Sequence, residues 1–221
     1  MKKQVKKRRK PKIDQYWEVH EFGTSPLRMK PDYGERRAGR EIMFSRVADF
    51  FIKRLSEFEY GCYYTDGSST KNIAVMDEKD GHDIYIQPPS EFWKHKCGMC
   101  HDASIFVDAM LEKEGIDHKC YYIYSDRPPH YPTHSFVVAL CRDGFKRIID
   151  VFSTKACVYA EKFTSYTEAA EWRLSKWIDD DNGGNKNVHL FQNMHMPGAK
   201  YDFVTFAKQA IKSCAEICFS L

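Results

Sequence analysis

The chain has no apolar run approaching the ~18 to 20 residues that span a bilayer as a helix. Its basic start is also not followed by the apolar stretch of about 7 to 15 residues that a secretory signal needs. These two absences lead to the expectation of a soluble intracellular protein, cytoplasmic, with nuclear import an added option through the basic start. No internal repeat is visible, which removes solenoid and propeller architectures. The eight cysteines do not sit in a short, core-poor chain of the kind that disulfides staple together, so they are expected as mostly reduced thiols. A closed zinc site is short of ligands as well. Cys97 and Cys100 have Cys-x-x-Cys spacing, but the only other close cysteine pair is Cys214 and Cys218, on the apolar stripe of a helix expected over 202–219.

Acidic residues are missing from residues 1–12, MKKQVKKRRKPK, where eight of the twelve positions are Lys or Arg. The formal charge of the whole chain is only +3, so everything after this segment is net acidic. A basic tail on an acidic body reads as an appendage with its own partner, and residues 2–12 are a candidate polyanion contact for nucleic acid. Residues 13–38 follow as an extended arm broken by Gly23, Pro26, Pro31 and Gly34. The 221 residues are 43% hydrophobic, enough for one sizeable core, and residues 39–221 are expected to form a single catalytic domain. Within it the apolar periodicity predicts a helix over about 40–59, short strands at 73–76 and 84–86, and a helix over 166–178.

Chemistry is concentrated in Lys96-Cys97-Gly98-Met99-Cys100-His101-Asp102-Ala103-Ser104. This segment opens a helix with the apolar face Ala103, Phe106, Val107, Met110 and Leu111, stopped by Gly115 as its C-cap. The run beginning at His134 and the run ending at Asp150 read as strands, with a third strand candidate over 119–124. A cysteine at a helix N-terminus meets unpaired N–H groups that favour the thiolate and can also hold a tetrahedral oxyanion. A histidine can take the thiol proton and return it to a leaving amine, and an aspartate can fix the imidazole tautomer. Cys100, His134 and Asp150 fill these roles in chain order, and the chemistry needs no metal or cofactor. His101, next to Cys100, projects from another side of the helix and is expected only to tune charge. His82, His95 and His118 are expected at the surface, and His130 at a cleft rim.

The run that starts at Gln87 and continues through Gly98-Met99-Cys100-His101-Asp102 to Gly115-Ile116 resembles the transglutaminase-like cysteine-enzyme superfamily, in its bacterial cysteine-proteinase form. His134-Ser135-Phe136-Val137-Val138 is similar to the histidine strand of that family, and Arg147-Ile148-Ile149-Asp150 to its aspartate strand. The resemblance covers about residues 84–152. It implies an α+β, papain-like fold, with N-terminal helices and the catalytic helix packed on an antiparallel sheet. It also implies a cysteine peptidase, amidase or transglutaminase-like acyltransferase that takes a protein or peptide amide as substrate. A Trp or Gln upstream usually adds to the family's oxyanion hole, which makes Gln87 and Trp93 the candidates. Met99 and Val151 depart from the residues frequent at their positions.

Two other classes stay open at this level: a catalytically inactive interaction module on the same fold, and a nucleic-acid or metal-binding protein built on the basic tail and Cys-x-x-Cys. A geometric condition bears on the triad. Side chains alternate faces along a strand, so a two-residue Asp143-Gly144 turn would pair His134 with Ser153 and turn Asp150 away. A three-residue Arg142-Asp143-Gly144 loop pairs His134 with Phe152 and leaves Asp150 its diagonal neighbour on the same face, with Gly144 at positive φ.

Removal of residues 1–12 is expected to leave turnover of small substrates unchanged and to weaken salt-sensitive binding to polyanions. Binding of both forms to unrelated DNA and RNA at low and high salt checks this; equal affinities would discard the tail as a polyanion contact.

Overall fold

The computed structural model describes residues 51, 53–71, 84–125, 133–152, 155–180, 184, 186–193, 201–202, 205–206, 211–212 and 215–217. The basic tail, the arm, most of the helix expected over 40–59, the strand at 73–76, His82, His130, Cys214 and Cys218 lie outside these residues.

Alternating apolar residues in three long strands build the centre. These are β6 (His118–Ser125), β7 (Thr133–Leu140) and β8 (Lys146–Phe152), extended by β9 (Lys155–Val158) on one side and by β10 (Val188–Asn193) and β12 (Ala215–Glu216) on the other. Every adjacent pair in this six-stranded sheet is antiparallel. Period-two alternation gives the sheet two apolar faces. Helix α2 (Cys100–Glu114) covers one with Phe106, Val107, Met110 and Leu111 against Val137, Ala139 and Ile149. Helix α3 (Tyr166–Asp180) covers the other with Ala169, Ala170, Leu174 and Trp177 against Phe136, Val138 and Ile148. A sheet apolar on both sides needs both helices, since either bare face would leave a core-sized apolar surface in water.

Local signals explain where the helices stop and start. Gly115 caps α2 in the left-handed conformation at φ 68°. Ser165 and Glu168 form a capping arrangement at the start of α3: the Ser165 hydroxyl accepts the Glu168 N–H at 3.0 Å, and the Glu168 carboxylate accepts the Thr164 N–H at 2.7 Å.

The hairpin between β7 and β8 has the three-residue loop. Leu140 pairs with Lys146 and Phe136 with Asp150, Cys141 donates its N–H to Phe145 O at 2.8 Å, and Gly144 has φ 86°. His134, Phe136 and Val138 therefore share the α3 face with Ile148 and Asp150.

Three expectations are corrected. The helix leading out of residue 51 ends at residue 55, and Glu59–Tyr60 is instead strand β1, parallel to β5 (Cys97–Gly98). A short helix not foreseen, α1 (Pro89–His95), begins at a proline suited to a first helical turn. The closing helix over 202–219 is interrupted: Tyr201–Asp202 is strand β11, paired with β4 (Tyr85–Ile86), and β12 pairs with β10. The outer edge of β10 offers backbone N–H and C=O groups that an amphipathic helix could not satisfy, and β12 satisfies them. No helix among the described residues is long and apolar enough to cross a membrane.

Gly98 has no room for a side chain, because a Cβ there would lie 2.7 Å from Phe92 Cε2 and 2.8 Å from Asp102 Oδ2. Gly98→Ala is expected to destabilise the fold by about 1 to 3 kcal/mol through overpacking against α1, measured as a shift of the urea midpoint. An unchanged midpoint would show that this contact yields freely.

Candidate active site

Cys100 is the first residue of α2, directly after the extended N-cap Met99. A single carboxylate fixes the position of this helix start. Asp102 is fully buried; its Oδ2 accepts the Met99 N–H at 2.8 Å and its Oδ1 accepts the Gln87 N–H at 2.6 Å. Burial nevertheless pushes the Asp102 carboxyl up to about 7, against the pull of these two backbone donors.

Gln87, an oxyanion-hole candidate, lies behind the helix start. Its Nε2 donates to Cys97 O at 2.8 Å, and its Oε1 accepts from His95 Nδ1 at 2.7 Å. Its side chain thereby ties β4 and α1 to the segment that leads into Cys100. Trp93, the other candidate, is partly buried and packs against the core cluster beneath α2. Its ring stacks on Phe106 at 5.7 Å and carries Lys96 Nζ 3.1 Å from its centroid.

His134 and Asp150 do meet. Both are buried, and His134 Nε2 donates to Asp150 Oδ1 at 2.8 Å. With Nε2 committed to the carboxylate, Nδ1 is the ring nitrogen that can exchange a proton with sulfur, and His134 and the Cys100 thiol act electrostatically on one another. Burial disfavours an imidazolium here, but the charge and hydrogen bond of Asp150, followed by those of Cys100, raise His134 to about 9. Burial also pushes Asp150 up, and His134 and then Arg173 overcome this to bring it below its ordinary value.

The Cys100 thiol shows the same contest. Burial raises it, yet the attraction and hydrogen bond of His101, followed by the hydrogen bond and attraction of His134, bring it well below an ordinary cysteine. The neighbouring thiols differ: burial, reinforced by nearby carboxylates, pushes up Cys97 and Cys120, and burial takes Cys141 to about 11. Proximity in sequence therefore does not make Cys97 equivalent to Cys100.

Further groups surround Cys100. His101, expected to tune charge there, is buried, and its ring nitrogens face Ser135 Oγ at 2.9 Å and Thr133 Oγ1 at 3.2 Å, both on β7. Tyr60 on β1 hydrogen-bonds the thiol and backbone of Cys100, and burial holds its phenol protonated far above neutral pH. Tyr122 on β6 stands close enough to Cys100 for its phenol to be raised partly by the thiolate charge, after burial. Arg173 on α3 is buried and donates from Nε to Asp150 Oδ2. Neither His95 nor His118 is a surface residue. His95 stacks on Tyr63 at 4.3 Å, and His118 Nε2 donates to Asp108 Oδ1 at 2.9 Å, an oxygen that also accepts the Cys120 thiol.

No protein-family model matches the chain, and no curated protein is similar to it in sequence. Among solved structures it is similar to a candidate cysteine protease from Cytophaga hutchinsonii, with a TM-score of 0.31 and 10% identity. The match covers 80% of this chain and 47% of that protein, so the chain spans about half the length of the structure it matches.

Proposed function

We propose that this protein is a thiol-dependent hydrolase or acyltransferase acting on an amide bond, with Cys100 as nucleophile, His134 as base and acid, and Asp150 as the group that orients His134. One observation carries the proposal: a buried histidine is held by Asp150 through one ring nitrogen and lies in the electrostatic surroundings of a cysteine at a helix N-terminus, whose thiol is held below its ordinary value. A transglutaminase-like, papain-like domain over residues 39–221 acting on a protein or peptide amide is the form this proposal takes.

The site stores its reactants as a thiolate and an imidazolium. The thiolate sulfur attacks the amide carbonyl carbon, and the C=O π electrons move onto oxygen. Backbone N–H groups at the start of α2 are the donors for that oxyanion, with the protonated Tyr60 phenol as a neutral donor beside them. As the tetrahedral intermediate collapses, the C–N bond breaks and His134 Nδ1–H passes its proton to the departing amine. Water, or a second amine, then attacks the thioester while His134 Nδ1 takes its proton, and the sulfur leaves as the thiolate. Asp150 keeps Nε2 protonated throughout, so that Nδ1 is always the nitrogen in play.

The pH limits follow from the two shifts. As pH falls through the depressed Cys100 value the thiolate gains a proton and reactivity is lost; as pH rises through about 9 the imidazolium is lost and leaving-group protonation goes with it. The stability His134 gains from its partners is complete below its unfolded value of ~6.5 and vanishes as pH rises through about 9.

Alkylation of the native protein by iodoacetamide, read by peptide mass spectrometry, is expected to label Cys100 at least ~10-fold faster than Cys97 at neutral pH. The Cys100 rate should rise in the acid range and change again near pH 9. One common profile for all the thiols, with a single rise near ~8.5, would remove Cys100 as an activated nucleophile.

On an amide substrate, Cys100→Ala should abolish turnover with the fold intact, and Cys97→Ala should keep most of it. Inactive Cys97→Ala beside active Cys100→Ala would move the nucleophile by three residues, into β5, and activity in both would end the thiol mechanism.

A further inference from the structure

The stripe that α3 turns to the sheet reads Ala169, Ala170, Arg173, Leu174 and Trp177, so a cation stands among core residues. Arg173 is 2% exposed. An arginine is never neutral in a protein, and burying one is costly unless an anion and good geometry compensate. Asp150 supplies both: Oδ2 accepts from Arg173 Nε while Oδ1 accepts from His134 Nε2 at 2.8 Å. Arg173 Nη2 lies 3.2 Å from that same Nε2. Both nitrogens are donors here, so the contact is a convergence of two cations on one carboxylate, with the guanidinium against the edge of the imidazole.

We propose that Arg173 is a positioning residue of the active site, which fixes the Asp150 carboxylate for His134 and completes a buried set of two cations and two anions around Cys100. This rests on Cys100 acting as the thiolate nucleophile. With Arg173 in place, the set of Arg173, Asp150, His134 imidazolium and Cys100 thiolate has no net charge. Without it the same reactive pair would be a buried set with one excess negative charge.

The other titratable groups that face the pair do not supply a fixed cation. Tyr60 from β1 and Tyr122 from β6 are protonated phenols held so by burial. From α2, His101 is an imidazole whose attraction also lowers Cys100, and Asp102 is a carboxyl engaged with backbone N–H groups. Ser135 and Thr133 on β7 carry no charge. Arg173 is the fixed cation among these described neighbours, and a fixed cation makes every group beside it release its proton more readily.

The test is the pH profile of Cys100 alkylation by iodoacetamide in the wild type, Arg173→Met and Arg173→Lys, with circular dichroism as the check on folding. In Arg173→Met both inflections are expected to move to higher pH by about 1 unit or more, which lowers the acid-side rate ~10-fold while the high-pH rate recovers. Arg173→Lys keeps the charge, so its inflections should remain near those of the wild type. A folded Arg173→Met with unshifted inflections would overturn the proposal and leave Arg173 a structural residue.

Should Arg173→Met not fold, Arg173→Gln, which keeps a hydrogen-bond donor without the charge, takes its place in the same pH profile: both inflections moved to higher pH are expected, and unshifted inflections would overturn the proposal. Failure of the underlying thiol mechanism is distinguishable, because it would appear as an ordinary thiol profile for Cys100 in the wild type.

Discussion

The site depends first on strand register. His134 and Asp150 lie on neighbouring strands, and a slip of one residue between β7 and β8 would send Asp150 through the sheet to the α2 side. The loop Arg142-Asp143-Gly144 prevents that slip, because Gly144 takes the positive φ that closes a three-residue turn. Asp143 reinforces it: Oδ1 accepts the Phe145 N–H at 3.1 Å, and Oδ2 accepts from the buried Arg147 at 2.8 Å. A surface turn thus decides which side of the sheet receives the carboxylate.

The second constraint is the placement of Cys100. Helix α2 lies on one face of the sheet, whereas His134, by its parity, belongs to the face that α3 covers. The first turn of α2 must therefore be held accurately at the sheet margin, where the two faces meet. Asp102 does this through two backbone N–H groups, one from its own N-cap and one from Gln87. Gly98 allows Phe92 and Asp102 to close on the chain from either side. Helix capping and the placement of Cys100 are the same set of contacts.

Much of this was legible in the sequence because it rests on local signals. Gly115 announces the end of α2, the alternation in 134–140 and 146–152 announces the central strands, and the spacing of the hairpin poses the choice of register that the structure resolves. What escaped depends on distant partners. The pair Tyr201–Asp202 becomes a strand only because β4 lies beside it, and Ala215–Glu216 only because β10 has an open edge. Gln87 and Trp93 are candidates by residue type, but only tertiary contacts reveal that the amide of Gln87 holds Cys97 O and His95 while the indole of Trp93 packs against Phe106 at the margin of the core. Arg173 did leave a trace, since a cation at the centre of the stripe Ala169, Ala170, Leu174 and Trp177 breaks the amphipathic pattern and asks for a buried anion.

Strand β1 touches Cys100 from outside the segment that carries the motif. Glu59 donates its N–H to Lys96 O at 2.8 Å and Gly61 donates to Gly98 O at 3.0 Å, so residues 59–61 run alongside the segment that leads into Cys100. Phe58, one residue earlier, stacks on Phe92 at 4.1 Å. A fragment trimmed to the stretch that resembles the cysteine enzymes would therefore lose the backbone rail along which Cys97 and Gly98 are laid. The smallest autonomous unit of this protein must begin before Phe58.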